Sequence, residues 1–183
     1  LSLLEPLGPL EPFQSTRQRA VVESKALSWS FLEVHAQHRS VDAIDEDLKG
    51  FGARGGFDLS DGWFLRGGAD FLSDDQDLTR FDLGAGHHVE IQTDTQVYAS
   101  VSWVHLDLDD AGAADSDDNG WRAEVGMRSL LDKRLEGEAR VGYEDVSDDG
   151  FIYGVDVRWW WTSNLALGIG YEREIDDDVI TLA

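Results

Sequence analysis

The chain has 183 residues, with 15 Lys+Arg against 37 Asp+Glu and a formal net charge of −22. That balance excludes nucleic acid as a partner, because phosphate recognition needs a basic stripe. Hydrophobic residues make up 42%, too many for a disordered acidic tail, while a mean hydropathy of −0.34 and the lack of any long apolar run exclude transmembrane helices. Two fold readings remain, a soluble and very acidic β-protein or a β-barrel that crosses a membrane. Cysteine is absent, which removes disulfides, thiolate metal sites and cysteine nucleophiles. The sequence opens at Leu1 without a basic n-region and so reads as a processed chain.

The first stretch stands apart. Pro6, Pro9 and Pro12 alternate with Leu1, Leu3, Leu4, Leu7, Leu10 and Phe13. Each proline removes a backbone donor and restricts the residue before it, so neither helix nor sheet forms there. Residues 1–27 are predicted to be an extended arm outside the main domain, either a disordered leader or a docking peptide. In the docking reading Leu3, Leu4, Leu7, Leu10 and Phe13 supply the contact to a partner protein.

From residue 28 the sequence alternates with period two, which predicts strands near 29–38, 48–59, 63–72, 79–91, 95–108, 120–131, 134–145, 150–161 and 164–174, with a stub at 179–183. In the fifth segment the apolar phase changes from odd to even positions after Trp103, which predicts a β-bulge there. Short turns such as Ser60-Asp61-Gly62 and Leu131-Asp132-Lys133 alternate with longer acidic connections at residues 39–48, 73–78, 107–119, 145–149 and 174–178. That alternation is expected of an up-and-down meander whose two ends face different compartments. The predicted fold is an all-β, antiparallel transmembrane barrel of about ten strands, with eight as the alternative. The stub is too short to explain how the last strand closes on the first.

In a membrane barrel the apolar face points outward and the charged face fills the lumen. That assignment places Arg54, Arg66, Arg80, Arg122, Arg128, Arg140 and Arg158 inside with Asp58, Asp70, Asp82, Glu90, Glu124, Glu136, Glu138, Asp156 and Glu172. A nearly balanced network of this kind predicts a plugged or very narrow lumen. Trp63, Phe64, Trp159, Trp160 and Trp161 form one expected aromatic girdle; Phe71, Trp103, Trp121, Phe151 and Tyr153 form the other. Nineteen acids, besides Glu174 at the edge of the last, fall in the longer connections, so the molecule is electrically polar along its axis.

The segments Gly50-Phe51-Gly52-Ala53-Arg54-Gly55-Gly56, Phe81-Asp82-Leu83-Gly84-Ala85-Gly86-His87 and Glu138-Ala139-Arg140-Val141-Gly142-Tyr143-Glu144-Asp145 resemble strands of small Gram-negative outer-membrane β-barrels, the OmpX-like and porin-like group. The resemblance spans residues 28–183. It implies an outer-membrane barrel with short periplasmic turns, long surface loops on the acidic side, and contact with lipid and lipopolysaccharide; the arm at 1–27 is then expected on the periplasmic side. The arm and the lack of a terminal aromatic residue depart from that pattern.

Candidate chemistry is sparse. His88 and Glu90 share one inner face, with Ser100 and Ser102 on the next strand, which leaves a lipid-modifying enzyme as an alternative. Glu33 and His35 share the inner face of the first strand. No catalytic residue, cofactor or defined metal site is assigned, although the acidic loops offer oxygen ligands for weakly bound divalent cations that would bridge to lipopolysaccharide phosphates. The leading expectation is a non-enzymatic outer-membrane barrel with a structural or interaction role. Its alternatives are a narrow cation-preferring channel, a soluble acidic barrel from a salt-adapted cell, and the enzyme.

Overall fold

A computed structural model describes residues 27–41, 46–73, 76–110, 116–146, 148–162, 166–174 and 177–182. The described residues form ten strands: β1 (Phe31–Val41), β2 (Glu46–Asp58), β3 (Trp63–Ser73), β4 (Gln76–Gln92), β5 (Thr95–Asp110), β6 (Ser116–Asp132), β7 (Leu135–Val146), β8 (Asp148–Trp160), β9 (Ala166–Glu174) and β10 (Asp177–Leu182). Every strand pairs antiparallel with its sequence neighbours, and β10 pairs with β1 to close the barrel. The expected stub is therefore the closing strand, joined to β1 from Ala36↔Leu182 to Val41↔Asp177. Closure removes the free edges that an open sheet would expose. The docking residues Leu3, Leu4, Leu7, Leu10 and Phe13, and the arm up to residue 26, lie outside the described residues.

Two local expectations are overturned. No register shift occurs at Trp103: the ladder runs unbroken through Leu83↔Trp103, Asp82↔Val104 and Arg80↔Leu106, and the shifts in this region lie at Glu90/Gln92 and Leu130/Asp132. The apolar phase changes because the inner wall itself becomes apolar toward this end. Leu48, Leu72 and Leu78 form a buried cluster there, with Leu106 and Leu108 packed against it.

The same cluster explains the second difference. The strands continue into the acidic stretches and leave only residues 42–45, 74–75, 111–115, 147 and 175–176 between them at that end; 59–62, 93–94, 133–134 and 161–165 remain at the other. Acid density along the sequence suggests loops, yet the inward leucines keep the pleat in register, and the aspartates between them take the outward positions. The two ends differ in charge much more than in loop length.

At residues 59–62 the turn is tight. The Leu59 N–H donates to the Trp63 carbonyl at 2.8 Å, and the Trp63 N–H donates to the Ser60 carbonyl at 3.0 Å. Asp61 and Gly62 both have positive φ, 55° and 81°. That is the backbone of a type I′ hairpin, for which Asp-Gly is a preferred pair.

Candidate functional site

Large apolar side chains point away from the lumen on every side. Leu32 is 80% exposed and Leu83 65%, and Phe51, Val101, Val125, Val155 and Ile169 are exposed as well. The buried set includes Arg80, Arg122, Arg128, Arg158, Glu124, Glu136, Glu144 and Asp156. Water cannot be the solvent of such an outer surface, and hydrocarbon cannot be the solvent of such an interior. The chain is a transmembrane β-barrel. The reading as a soluble acidic barrel, which needs the apolar face inward, is overturned.

The aromatic girdles need two corrections. Trp63, Trp159 and Trp161 stand outward at one rim, and Phe71, Trp103, Trp121, Phe151 and Tyr153 stand outward toward the other. Phe64, however, is fully buried in the lumen, and the Trp160 indole donates inward to Glu136 Oε2 at 3.1 Å. Each follows a girdle tryptophan by one residue, so the pleat turns it to the opposite face. Outward His105 belongs to the second girdle, stacked on Trp103 with 5.8 Å between ring centroids.

The middle of the lumen is an ion-pair network. Arg80 on β4 grips Glu144 on β7 through two bonds, 3.0 and 2.6 Å. Arg122 reaches Glu144 at 2.5 Å and Glu172 at 3.0 Å. Glu136 Oε1 accepts from Arg128 Nη2 at 2.7 Å and Arg158 Nη1 at 3.2 Å. Arg158 also joins Glu138 at 3.0 Å and Glu33 at 3.0 Å. Arg54 contacts Glu33 at 2.5 Å and Asp156 at 3.1 Å, Arg140 binds Asp156 and Glu172, and Arg66 pairs with Glu124. These bonds tie strands on opposite walls and pair charges that would otherwise be costly to bury.

Asp70 is held by His35 Nε2 at 2.8 Å. Asp82 faces the lumen on β4, opposite Gly68. Glu90 has the inward parity but is exposed, and it falls at the register shift that ends the regular ladder. It is thus removed from the network. Asp58 likewise sits at the mouth, where it binds the entering chain rather than an arginine.

That entering chain fills the lumen end opposite the acidic rim. The alternation predicts Trp29 in the first strand; β1 instead starts at Phe31, and Trp29 folds inside to stack on Phe64, centroids 3.8 Å apart, with Tyr98 edge-on at 4.7 Å. Its backbone N–H donates to Asp58 at 2.8 Å and its indole N–H to Gln96 at 3.2 Å. Arg128 lies 4.5 Å from the indole centroid and donates to the Ser28 carbonyl at 3.3 Å. Parity alone could have hinted at Trp29, since odd positions of the first strand point inward. Its serine neighbours carry no such signal.

The enzyme alternative needs a serine beside His88. His88 Nε2 instead faces Asp58 at 3.5 Å, while Ser100 lies 3.4 Å from both Glu124 and Arg66. Among the described residues no group of three His, Asp or Glu could hold a metal ion.

No family model and no curated protein matches the chain. Among solved structures it is similar to the N-terminal β-barrel domain of Pseudomonas aeruginosa OprF, with 15% identity, a TM-score of 0.47, and coverage of 78% of this chain and 96% of that one. The KdgM porin gives 8% identity and a TM-score of 0.47, covering 81% and 95%. Neisserial surface protein A gives 13% and 0.40, covering 82% and 89%. The closed topology itself rests on this chain's own strand pairing.

Proposed function

We propose that this barrel resides in a Gram-negative outer membrane and has a structural or interaction role without catalysis. The observation that carries the reading is the combination of an apolar outer surface with a lumen crossed by ion pairs and closed at one end by Trp29. Membrane fractionation followed by single-channel recording tests it. The protein should stay with the outer-membrane fraction through an alkaline carbonate wash and leave it only with detergent, and the reconstituted barrel should show no stable conductance. Release by carbonate, or recovery in another membrane, overturns the location; a steady open pore overturns the closed lumen and favours a transport role.

The acidic rim supports a role at the cell surface. Asp77 stands opposite Asp109, Asp107 opposite Asp117, and Asp145 opposite Asp149 in the ladder. Like charges directly opposed destabilise a sheet, and divalent cations shared with lipopolysaccharide phosphates would relieve that repulsion. Chelation should then weaken retention of lipopolysaccharide by the purified barrel, and equal retention with and without chelator counts against the bridge.

On the other side, the Leu27 carbonyl accepts from Gln96 Nε2 at 3.4 Å, beside the Trp29 plug. Residues 1–27 are therefore assigned a periplasmic docking role toward an envelope protein. Deleting residues 1–13 should remove a co-purifying partner, and an unchanged set of partners rejects the assignment.

A further inference from the structure

The strand faces carry slightly more carboxylates than arginines, which predicts a lumen that favours cations. The geometry reverses that sign along the axis. A cavity of about 100 Å³ runs inside the barrel from Trp29 at one end to Gln37 and Arg39 at the other. Among the described residues its lining includes eight arginines and only four carboxylates. Glu33, Glu124, Glu136, Glu144 and Asp156, each paired with an arginine, do not reach it. Side-chain length explains the segregation. A carboxylate stays close to the wall, whereas an arginine stem carries its guanidinium toward the axis and presents its remaining N–H groups there.

Arg66 is engaged far less than Arg128 and Arg140. Arg140 uses Nε, Nη1 and Nη2 in ion pairs, and Arg128 uses the same three atoms toward Glu136 and Ser28. Arg66 bonds through Nη1 alone, to Glu124 and to Ser100 at 3.4 Å. Its Nε and Nη2 have no hydrogen-bond partner among the described residues, and its side chain is 21% exposed, against 8% for Arg140 and 4% for Arg128. Beside it Gly67 and Gly68 line the cavity, and the absence of a Cβ at Gly68 lets the Asp82 carboxylate lie against that backbone. A guanidinium with its fork free, in a small polar chamber, is a receptor for a planar or tetrahedral oxyanion.

We propose that the luminal cavity binds a small free oxyanion of the phosphate or sulfate class, anchored by Arg66. The opposing group is Asp82, which lines the same cavity from the neighbouring strand and repels the ligand. Affinity is thus set by two residues that act in opposite directions. The site depends on the closed barrel and not on which membrane holds it, so an error in the assigned location leaves it intact.

Calorimetry of the full chain in lipid-free detergent micelles tests the proposal, with inorganic phosphate and sulfate as titrants and chloride at matched ionic strength as the control. The unmodified protein should bind one oxyanion saturably. Arg66→Gln should weaken binding about tenfold or more, the loss expected for one charge-assisted contact. Asp82→Asn should strengthen it, which a merely damaged barrel would not do. Should Arg66→Gln fail to give the heat-modifiable band of a folded barrel, Arg66→Lys and Asp82→Asn carry the test: the first keeps the charge and loses the fork, so binding falls, and the second makes binding rise. Heats indistinguishable from chloride in the unmodified protein overturn the site. So does binding that neither Arg66 variant weakens, or that Asp82→Asn fails to strengthen.

Discussion

The indole of Trp29 lies nearly flat on the ring of Phe64, with centroids 3.8 Å apart and planes 11° from parallel. The contact joins a residue that precedes β1 to one at the start of β3, and it places an aromatic stack across one mouth of the barrel. Arg128 then covers the indole from β6 at 4.5 Å. Truncating Trp29 to Ala removes the stack, the cation–π contact and the bond to Gln96 together. We expect a loss of roughly 3–5 kcal/mol in urea unfolding, the usual range for a buried tryptophan. Brief conductance steps should also appear in planar bilayers. A Trp29→Ala barrel as closed and as stable as the unmodified one would show that the lumen is sealed elsewhere.

The turn at Asp61-Gly62 gives a sharper backbone test. Gly62 has φ of 81°, and an added Cβ would meet the His88 carbonyl oxygen. Gly62→Ala should therefore cost on the order of 1–3 kcal/mol and slow refolding into liposomes. Asp61, with φ of 55°, tolerates Asn or Gly, since both accept the left-handed region. If Gly62→Ala refolds with unchanged rate and stability, the type I′ geometry is not required.

Much of this architecture was legible because the two solvents demand opposite chemistry on alternate residues. Leu83 and Asp82 could be assigned to opposite faces from parity alone, and so could Val155 and Asp156. Parity does not report depth: it predicts Glu90 in the lumen, although the residue lies exposed at the mouth. Composition does not report pairing either: Asp77 and Asp107 resemble loop residues until Leu78 and Leu106 are seen packed inside. The Trp29 plug was hidden for a third reason. It precedes the ladder, and its burial depends on Phe64 and Tyr98, which are distant in sequence.

The outward assignment predicts a depth-dependent cost for charge. Leu83 is near the centre of β4 and 65% exposed. Leu83→Arg should destabilise the barrel in liposomes by about 2–4 kcal/mol, whereas the same change at Leu131, beside the 133–134 turn, should cost about 0–1 kcal/mol. Denaturant titration of both variants in one lipid measures the difference. Equal costs, or no cost at Leu83, would mean that this face does not meet hydrocarbon.

Glu136 is the acid on which the network depends most. It is 0% exposed, and its Oε1 accepts from both Arg128 and Arg158 while Oε2 accepts from the Trp160 indole. Glu136→Ala leaves two guanidinium groups short of a counter-charge inside the barrel. Breaking a buried pair from one side costs about 3–5 kcal/mol, because the partner's desolvation is no longer offset. Arg128 also holds Ser28 and covers Trp29, so the variant should loosen the plug as well as the wall. Glu90→Ala removes a carboxylate of the same strand parity that stands exposed at the mouth, and its effect should stay within about 0.5 kcal/mol. Unfolding of the two variants in the same micelle compares them directly. Similar costs would mean that burial in the lumen does not decide which acids hold the barrel together.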